Sequence, residues 1–282
     1  MEGKAATAKR IFAGIKAAII KDDFKRATAM IEQALATDDE FAKGRNIRLA
    51  HWLVMGANWS LINQLIPSNT NSLQTSGWLN SILSQRPVNE AGQPIPWLTY
   101  PAIEFIESLV RSDWSVFEWG GGSSTLWWSE RVSKVHTIEH NRQFHDTIIQ
   151  QIEPNVTLRL CEAHGEYVDA ITSSQGGPFD VIVIDGEERN ACARTALQYL
   201  KPNGMIVYDN SDRLMYRDGF EFLSGSGLKR IDFFGLIPSY VYKNCTSIFF
   251  FDDKFMRPDI LPSDKISCVG STCSQAAGER SN

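Results

Sequence analysis

The run Val116-Phe117-Glu118-Trp119-Gly120-Gly121-Gly122-Ser123-Ser124-Thr125 constrains this chain more than any other stretch. An apolar segment ends in an acidic residue and three consecutive glycines. Small hydroxyl residues then lead into a helix-like segment through Arg131. A buried strand that stops there must turn tightly, and glycine lets the backbone do so with no Cβ in the way. The helix that follows turns its free N–H groups toward the loop, so a ligand can lie directly against main chain. A second strand, Val135-His136-Thr137-Ile138, ends in Glu139, 19 residues after Gly120. In a βαβ unit that spacing brings a carboxylate to a ribose. The pattern points to a cofactor that carries a nucleoside.

The nicotinamide fingerprint G-x-G-x-x-G is not matched, because Thr125 stands at its third glycine. Glu118 also suits a dinucleotide poorly, since a carboxylate there would repel a pyrophosphate. It suits a ligand with an ammonium and a sulfonium group. The stretch from Phe117 to Thr125 resembles the first motif of class I S-adenosylmethionine (SAM)-dependent methyltransferases. Ile138-Glu139-His140 resembles their ribose-binding motif. Phe179-Asp180-Val181-Ile182-Val183-Ile184-Asp185-Gly186 resembles their fourth strand and the loop after it. Leu200-Lys201-Pro202-Asn203-Gly204 and the apolar run to Asp209-Asn210 resemble their turn and fifth strand, with Asn203 where the family has glycine. Asn tolerates positive φ, so that turn is expected to survive. The resemblance covers residues 95–252 and implies an α/β fold. Its sheet would be Rossmann-like and seven-stranded, mostly parallel with an antiparallel last strand, and preceded by an N-terminal helical region.

The 282 residues carry a net charge of −5. That argues against a nucleic-acid partner, whose phosphates need clustered Lys and Arg. The five cysteines show no C-x-x-C pair and no metal-ligand spacing, so reduced structural thiols are expected. No signal-peptide layout and no apolar run of membrane-spanning length is present, so no membrane partner is expected and a cytoplasmic location is the default.

Residues 1–73 read as an N-terminal helical region with three apolar stripes. The first runs through Ile11, Ile15, Ala18 and Ile19, the second through Phe24, Ala27, Met30, Ile31, Ala34 and Leu35, and the third over 49–66. These are packing faces, and the surface through which the chain would form a homo-oligomer. Residues 74–100 read as a helix and a Pro-rich loop covering the active site. Residues 101–252 read as the methyltransferase-like core, with strands near 115–119, 135–139, 156–160, 180–185 and 204–209 and a closing antiparallel pair at 228–234 and 246–251. Residues 253–282 read as a polar tail, dispensable beyond about 258.

For cofactor binding the resemblance implies Glu118, Gly120, Gly121, Gly122, Ser123, Ser124, Glu139 and His140, with Glu162, Ala163 and Asp185 as further contacts. Glu139 can accept two hydrogen bonds from vicinal ribose hydroxyls. Among the histidines, His164 is the candidate base by position, whereas His136 and His145 read as structural. Asp185, Asp209 and Asn210 stand at the carboxyl ends of neighbouring parallel strands, where open α/β sheets bind ligands. Three hard oxygen donors suit Mg²⁺, and the set resembles the metal site of cation-dependent O-methyltransferases. The competing reading is that Asp185 positions substrate while Asp209 and Asn210 shape a turn. Trp97 and Tyr100 either border the acceptor or plug the gap between helix and sheet. Asp185, Asp209 and Tyr100 are the catalytic candidates. The expected activity is methyl transfer from SAM to oxygen of a small-molecule acceptor, with Mg²⁺ assistance. The alternatives are an NAD(P)-linked oxidoreductase and a non-catalytic SAM-binding or interaction protein.

Overall fold

The computed structural model describes residues 14–15, 17–18, 23–35, 72–174 and 177–256. The chain forms two compact units, Met1–Asn71 and Ser72–Asn282. In the first, α1 (Phe24–Leu35) follows the second apolar stripe. Asp23 caps it, accepting from the Arg26 N–H at 3.1 Å, and Ala27 is buried. Ile15 and Ala18, on the first stripe, are helical and buried. Ile11, Ile19, the third stripe at 49–66 and the tail beyond 256 lie outside the described residues. Among those residues no helix is long and apolar enough to cross a membrane.

The second unit opens with α2 (Ser72–Thr75), α3 (Trp78–Ser84) and α4 (Tyr100–Leu109). Pro101 sits in the first turn of α4, where its missing N–H costs nothing. Strand and helix then alternate. The first pairs are β1 (Ser115–Trp119) with α5 (Ser123–Ser129), and β2 (Lys134–Glu139) with α6 (Arg142–Ile148). Next come β3 (Val156–Leu160) with α7 (His164–Asp169), and β4 (Phe179–Ile184) with α8 (Arg189–Ala196). The last are β5 (Leu200–Asp209), α9 (Arg217–Gly225), β6 (Lys229–Leu236) and β7 (Lys243–Phe250). The sheet order is β3-β2-β1-β4-β5-β7-β6. Strands β1 to β5 are parallel, whereas β7 runs antiparallel to β5 and to β6.

Helices cover both faces of the sheet. Val116, Val181, Val183, Met205, Val207 and Ile248 point toward α4 and α5. Their strand neighbours Phe117, Ile182, Ile184, Ile206, Tyr208 and Phe249 pack against α7, α8 and α9. Strands buried on both faces read as unbroken apolar runs, which is why 181–184 and 205–208 were legible as strands.

Lys201 to Gly204 do not form a turn before β5: the strand already begins at Leu200, with a register shift between Phe179 and Val181 on its partner. Asn203 does not take positive φ. The asparagine that does is Asn210, at φ 53°. The glycine of this segment is demanded by packing, since a Cβ on Gly204 would lie 2.8 Å from the Asp180 carbonyl oxygen.

Strand β4 is paired on both edges and Ile182 is wholly buried at its middle. Ile182→Ala should lower the unfolding free energy by about 3–4 kcal/mol, the transfer term plus the cavity. Equilibrium urea unfolding measures this, and a loss below about 1 kcal/mol would contradict close packing at that site.

Candidate active site

A cavity of about 450 Å³ opens at the carboxyl ends of β1, β2, β4 and β5. The 120–122 turn, Ser123, Ser124, Glu139 and His140 line one end. Asp185, Asp209 and Asn210 line the other. The strand order produces this arrangement, because the crossover direction reverses between β1 and β4 and leaves a crevice there.

Gly120 has φ +98°, and a Cβ on it would lie 2.7 Å from the Gly186 nitrogen. The turns after β1 and β4 therefore meet backbone to backbone, which no larger residue at 120 permits. The Gly121 N–H donates to Glu139 Oε2 at 2.7 Å, and the Asn141 N–H donates to Oε1 at 2.6 Å. Glu139 thus ties the glycine turn to the end of β2. A carboxylate offers about four acceptor positions; Oε1 also has His140 Nδ1 at 3.2 Å, while Oε2 keeps a position for a ligand in the cavity the residue lines. A Cβ on Gly122 would meet nothing within 4 Å, so the far side of the turn is open space.

Glu118 lies behind the turn, not on the cavity wall. It is fully buried, and its Oε2 accepts from the Thr125 hydroxyl at 2.6 Å and the Thr137 hydroxyl at 3.1 Å. Burial pushes its carboxyl from 4.5 to about 7, against the opposing hydroxyls of Ser124, Thr125 and Thr137. Below pH 4.5 the folded and unfolded chains both hold this proton. Between 4.5 and about 7 only the folded chain does, so stability falls as pH rises and the loss is complete above the folded value. At 1.36 kcal/mol per unit the span corresponds to about 3 kcal/mol. Glu118→Gln should remove that pH dependence, raising stability over wild type at pH 8 far more than at pH 5. Parallel urea slopes for both proteins across this range would refute the assignment.

At the other end, two carboxylates and an amide surround a buried guanidinium. Arg189, in the first turn of α8, is 7% exposed. Its Nε donates to the Gly186 carbonyl at 2.8 Å. Its Nη2 donates to the Asp185 carbonyl at 2.7 Å and pairs with Asp185 Oδ1 at 3.1 Å. Its Nη1 donates to the Asp209 carbonyl at 2.6 Å, reaches Asn210 Oδ1 at 3.4 Å and lies 3.8 Å from Asp209 Oδ2. The guanidinium carbon stands 4.5 Å over the Tyr216 ring. Asp209 Oδ1 also accepts from the Thr246 hydroxyl at 2.6 Å. Burial and the neighbouring Asp209 charge raise the Asp185 carboxyl well above the usual range, and Arg189 opposes that rise. Asp209 is raised too, by burial, with Arg189 and Thr246 opposing.

This donor set does not fit Mg²⁺. Arg189 already places a positive charge between the two carboxylates, and it takes the Asn210 amide oxygen and one oxygen of Asp185. Among the described residues no group of three or more His, Cys, Asp or Glu is placed to hold a metal. Mn²⁺ titrated into the protein should show no saturable site by electron paramagnetic resonance. One site per chain, lost in Asp209→Asn, would overturn this.

Four other expected residues lie off the cavity. Tyr100 turns its phenol toward Ser76 and Ser81 at α3, and burial pushes it up to about 12 against those two hydroxyls. Glu162 is exposed and pairs with Arg142 at 2.8 Å, beside an exposed Ala163 that precedes α7. His164 is 80% exposed and pairs with Glu188 at 2.8 Å. The sequence reading missed Arg189, although its position four residues after Asp185 on a helix start was a signal. It also missed Arg86, Arg213, Tyr240, Tyr242 and Asn244, which line the cavity from segments distant in sequence. Trp97 does line it.

The family model described as "Methyltransferase domain" matches residues 117–211, from β1 to just beyond β5. Over that segment the chain is similar to the methyltransferase domain. No curated protein matches the chain. Among solved structures it is similar to an O-methyltransferase from Bacillus cereus in complex with SAH. The identity there is 17%, the coverage is 69% of this chain and 97% of that one, and the TM-score is 0.45. It is also similar to precorrin-6y C5,15-methyltransferase from Geobacter metallireducens (16%; 54% and 88%; 0.45). A third is precorrin 8w decarboxylase from Methanobacterium thermoautotrophicum (19%; 59% and 96%; 0.43).

Proposed function

We propose that the chain transfers a methyl group from SAM to an oxygen of a small-molecule acceptor, without a metal ion. The observation that carries this reading is Glu139. Its carboxylate is locked by two backbone N–H groups against the wall of a cavity that begins at the glycine turn of the methyltransferase domain. A fixed acceptor pair at that place is complementary to vicinal ribose hydroxyls. The third position of a nicotinamide fingerprint is filled by Thr125, buried and bonded to Glu118, which disfavours the oxidoreductase alternative.

When bound, SAM supplies the electrophilic methyl group. The chain's residues align and deprotonate the acceptor. Asp185, on the cavity wall, takes the proton from the attacking hydroxyl. A carboxyl held above its ordinary pKa is the stronger base for that step. Asp209 lines the same end of the cavity but is fixed by Thr246 and Arg189, which makes it a positioning residue. Most of the acceleration then comes from holding two reactants in line.

Calorimetric titration with SAM tests the reading. Wild type is expected to bind, and Glu139→Gln, which keeps one acceptor oxygen but loses the charge, should weaken binding by about 1.5–3 kcal/mol. Binding of NAD in place of SAM, or an unchanged SAM affinity in the folded variant, would reject it.

A further inference from the structure

The far end of the cavity has a wall that methyl transfer alone does not explain. Trp97 and Tyr240 stack with ring centres 5.9 Å apart, and Tyr240 and Tyr242 lie 4.9 Å apart. All three line the cavity, and both tyrosines remain 40% exposed. The loop between β6 and β7 that carries the tyrosines is pinned in place. The Trp78 indole donates to the Tyr240 carbonyl at 2.7 Å, and the Trp97 indole donates to the Pro238 carbonyl at 2.8 Å. The Ser239 hydroxyl donates to the Ser81 carbonyl at 2.9 Å while its backbone holds φ +66°. A non-glycine residue in that region is strained, so three long-range hydrogen bonds hold the aromatic wall in an unfavourable loop conformation.

The charges on the lining are unequal in their partners. Asp185 and Asp209 both pair with Arg189. Arg86, from the loop after α3, and Arg213, three residues beyond Asn210, also line the cavity. Both are exposed, and neither forms an ion pair among the described residues. Arg213 and Tyr242 line the same cavity, where burial raises the Tyr242 phenol and the Arg213 charge opposes that rise. Arg213 follows β5, two strands away from the glycine turn on β1, so by topology it serves the end opposite the cofactor.

We propose that the acceptor is a flat ring carrying an oxyanion, stacked on the Trp97–Tyr240–Tyr242 wall with its negative group on Arg213 and Arg86. A ring face against aromatic side chains favours planar over puckered acceptors. A guanidinium pairs with a carboxylate or phosphate through parallel N–H donors that a neutral amide does not match. The inference rests on the methyl-transfer reading only for which end the cofactor occupies.

The test compares 4-hydroxybenzoate, its neutral isostere 4-hydroxybenzamide, and the puckered 4-hydroxycyclohexanecarboxylate. Affinities are measured calorimetrically with and without S-adenosylhomocysteine (SAH). The benzoate should bind at least about ten-fold more tightly than either comparator. An Arg86→Gln, Arg213→Gln double variant should bring benzoate and benzamide to within about two-fold, with SAH affinity unchanged. Tyr240→Ala should erase the preference for the flat ring. Both arginines are exposed, so the double variant is expected to fold, checked by circular dichroism. Equal benzoate and benzamide affinities in wild type, or a preference that survives the double variant, would overturn the inference. So would loss of SAH affinity in that variant, because the arginines would then hold the cofactor's own carboxylate. Failure of wild type to bind SAH would sink the methyl-transfer reading instead. The SAH-free titrations would still decide the acceptor inference by the same criterion.

Discussion

Two carboxylates at the ends of adjacent parallel strands cannot both stay charged in a buried edge unless a cation joins them. Arg189 is that cation, and much of the site depends on it. Its three nitrogens reach the carbonyls after β4, the end of β5 and both Asp side chains. The same guanidinium therefore fixes the start of α8, the turn at Gly186 and the spacing of β4 and β5. Removing one partner of such a buried pair is costly, because the other charge is left uncompensated. A divalent ion could satisfy the same electrostatics. The chain carries a positive charge on its own helix at this place.

The cofactor end follows a different logic. There the acidic groups are held by hydrogen-bond donors and not by a cation. Glu139 is kept on the cavity wall by two main-chain N–H groups, while Glu118 is kept behind the turn by two threonine hydroxyls. The difference in surroundings separates their roles: Glu139 presents oxygens to a ligand, and Glu118 supports the loop from beneath. Gly120 and Gly186 meet between them and join this end to the Arg189 clamp through backbone alone. The cavity is thus continuous, with hydrogen-bond acceptors at one end and open guanidiniums and aromatic rings at the other.

The strands near 180–185 and 204–209 were readable because a strand buried on both faces reads as an unbroken apolar run. Gly120, Glu139, Asp185 and Asp209, at the ends of β1, β2, β4 and β5, were readable because strand-end position follows from strand assignment. Glu118, one residue before the end of β1, was placed on the right strand but on the wrong side, since a strand's alternation alone does not say which face the turn leaves open. Tyr100 was assigned to the acceptor because its loop neighbours Trp97. One residue further on, the helix start rotates its phenol toward α3.

Local pattern was sufficient for the strand and helix alternation and the glycine–carboxylate pair, because each depends on residues close together in the chain, while the mostly parallel sheet was what the resemblance implied. The identity of the cation between Asp185 and Asp209 was decided by tertiary structure. So was the composition of the far wall, where Arg86, Trp97, Arg213, Tyr240 and Tyr242 come from three separate segments. Their shared cavity exists because β7 inserts between β5 and β6 and brings the 237–242 loop back over α3. Periodicity records which face of an element is buried, but it carries no information on which distant side chain fills the space opposite. That is settled by sheet order and by the few hydrogen bonds, such as Trp78 to Tyr240, that close the loop.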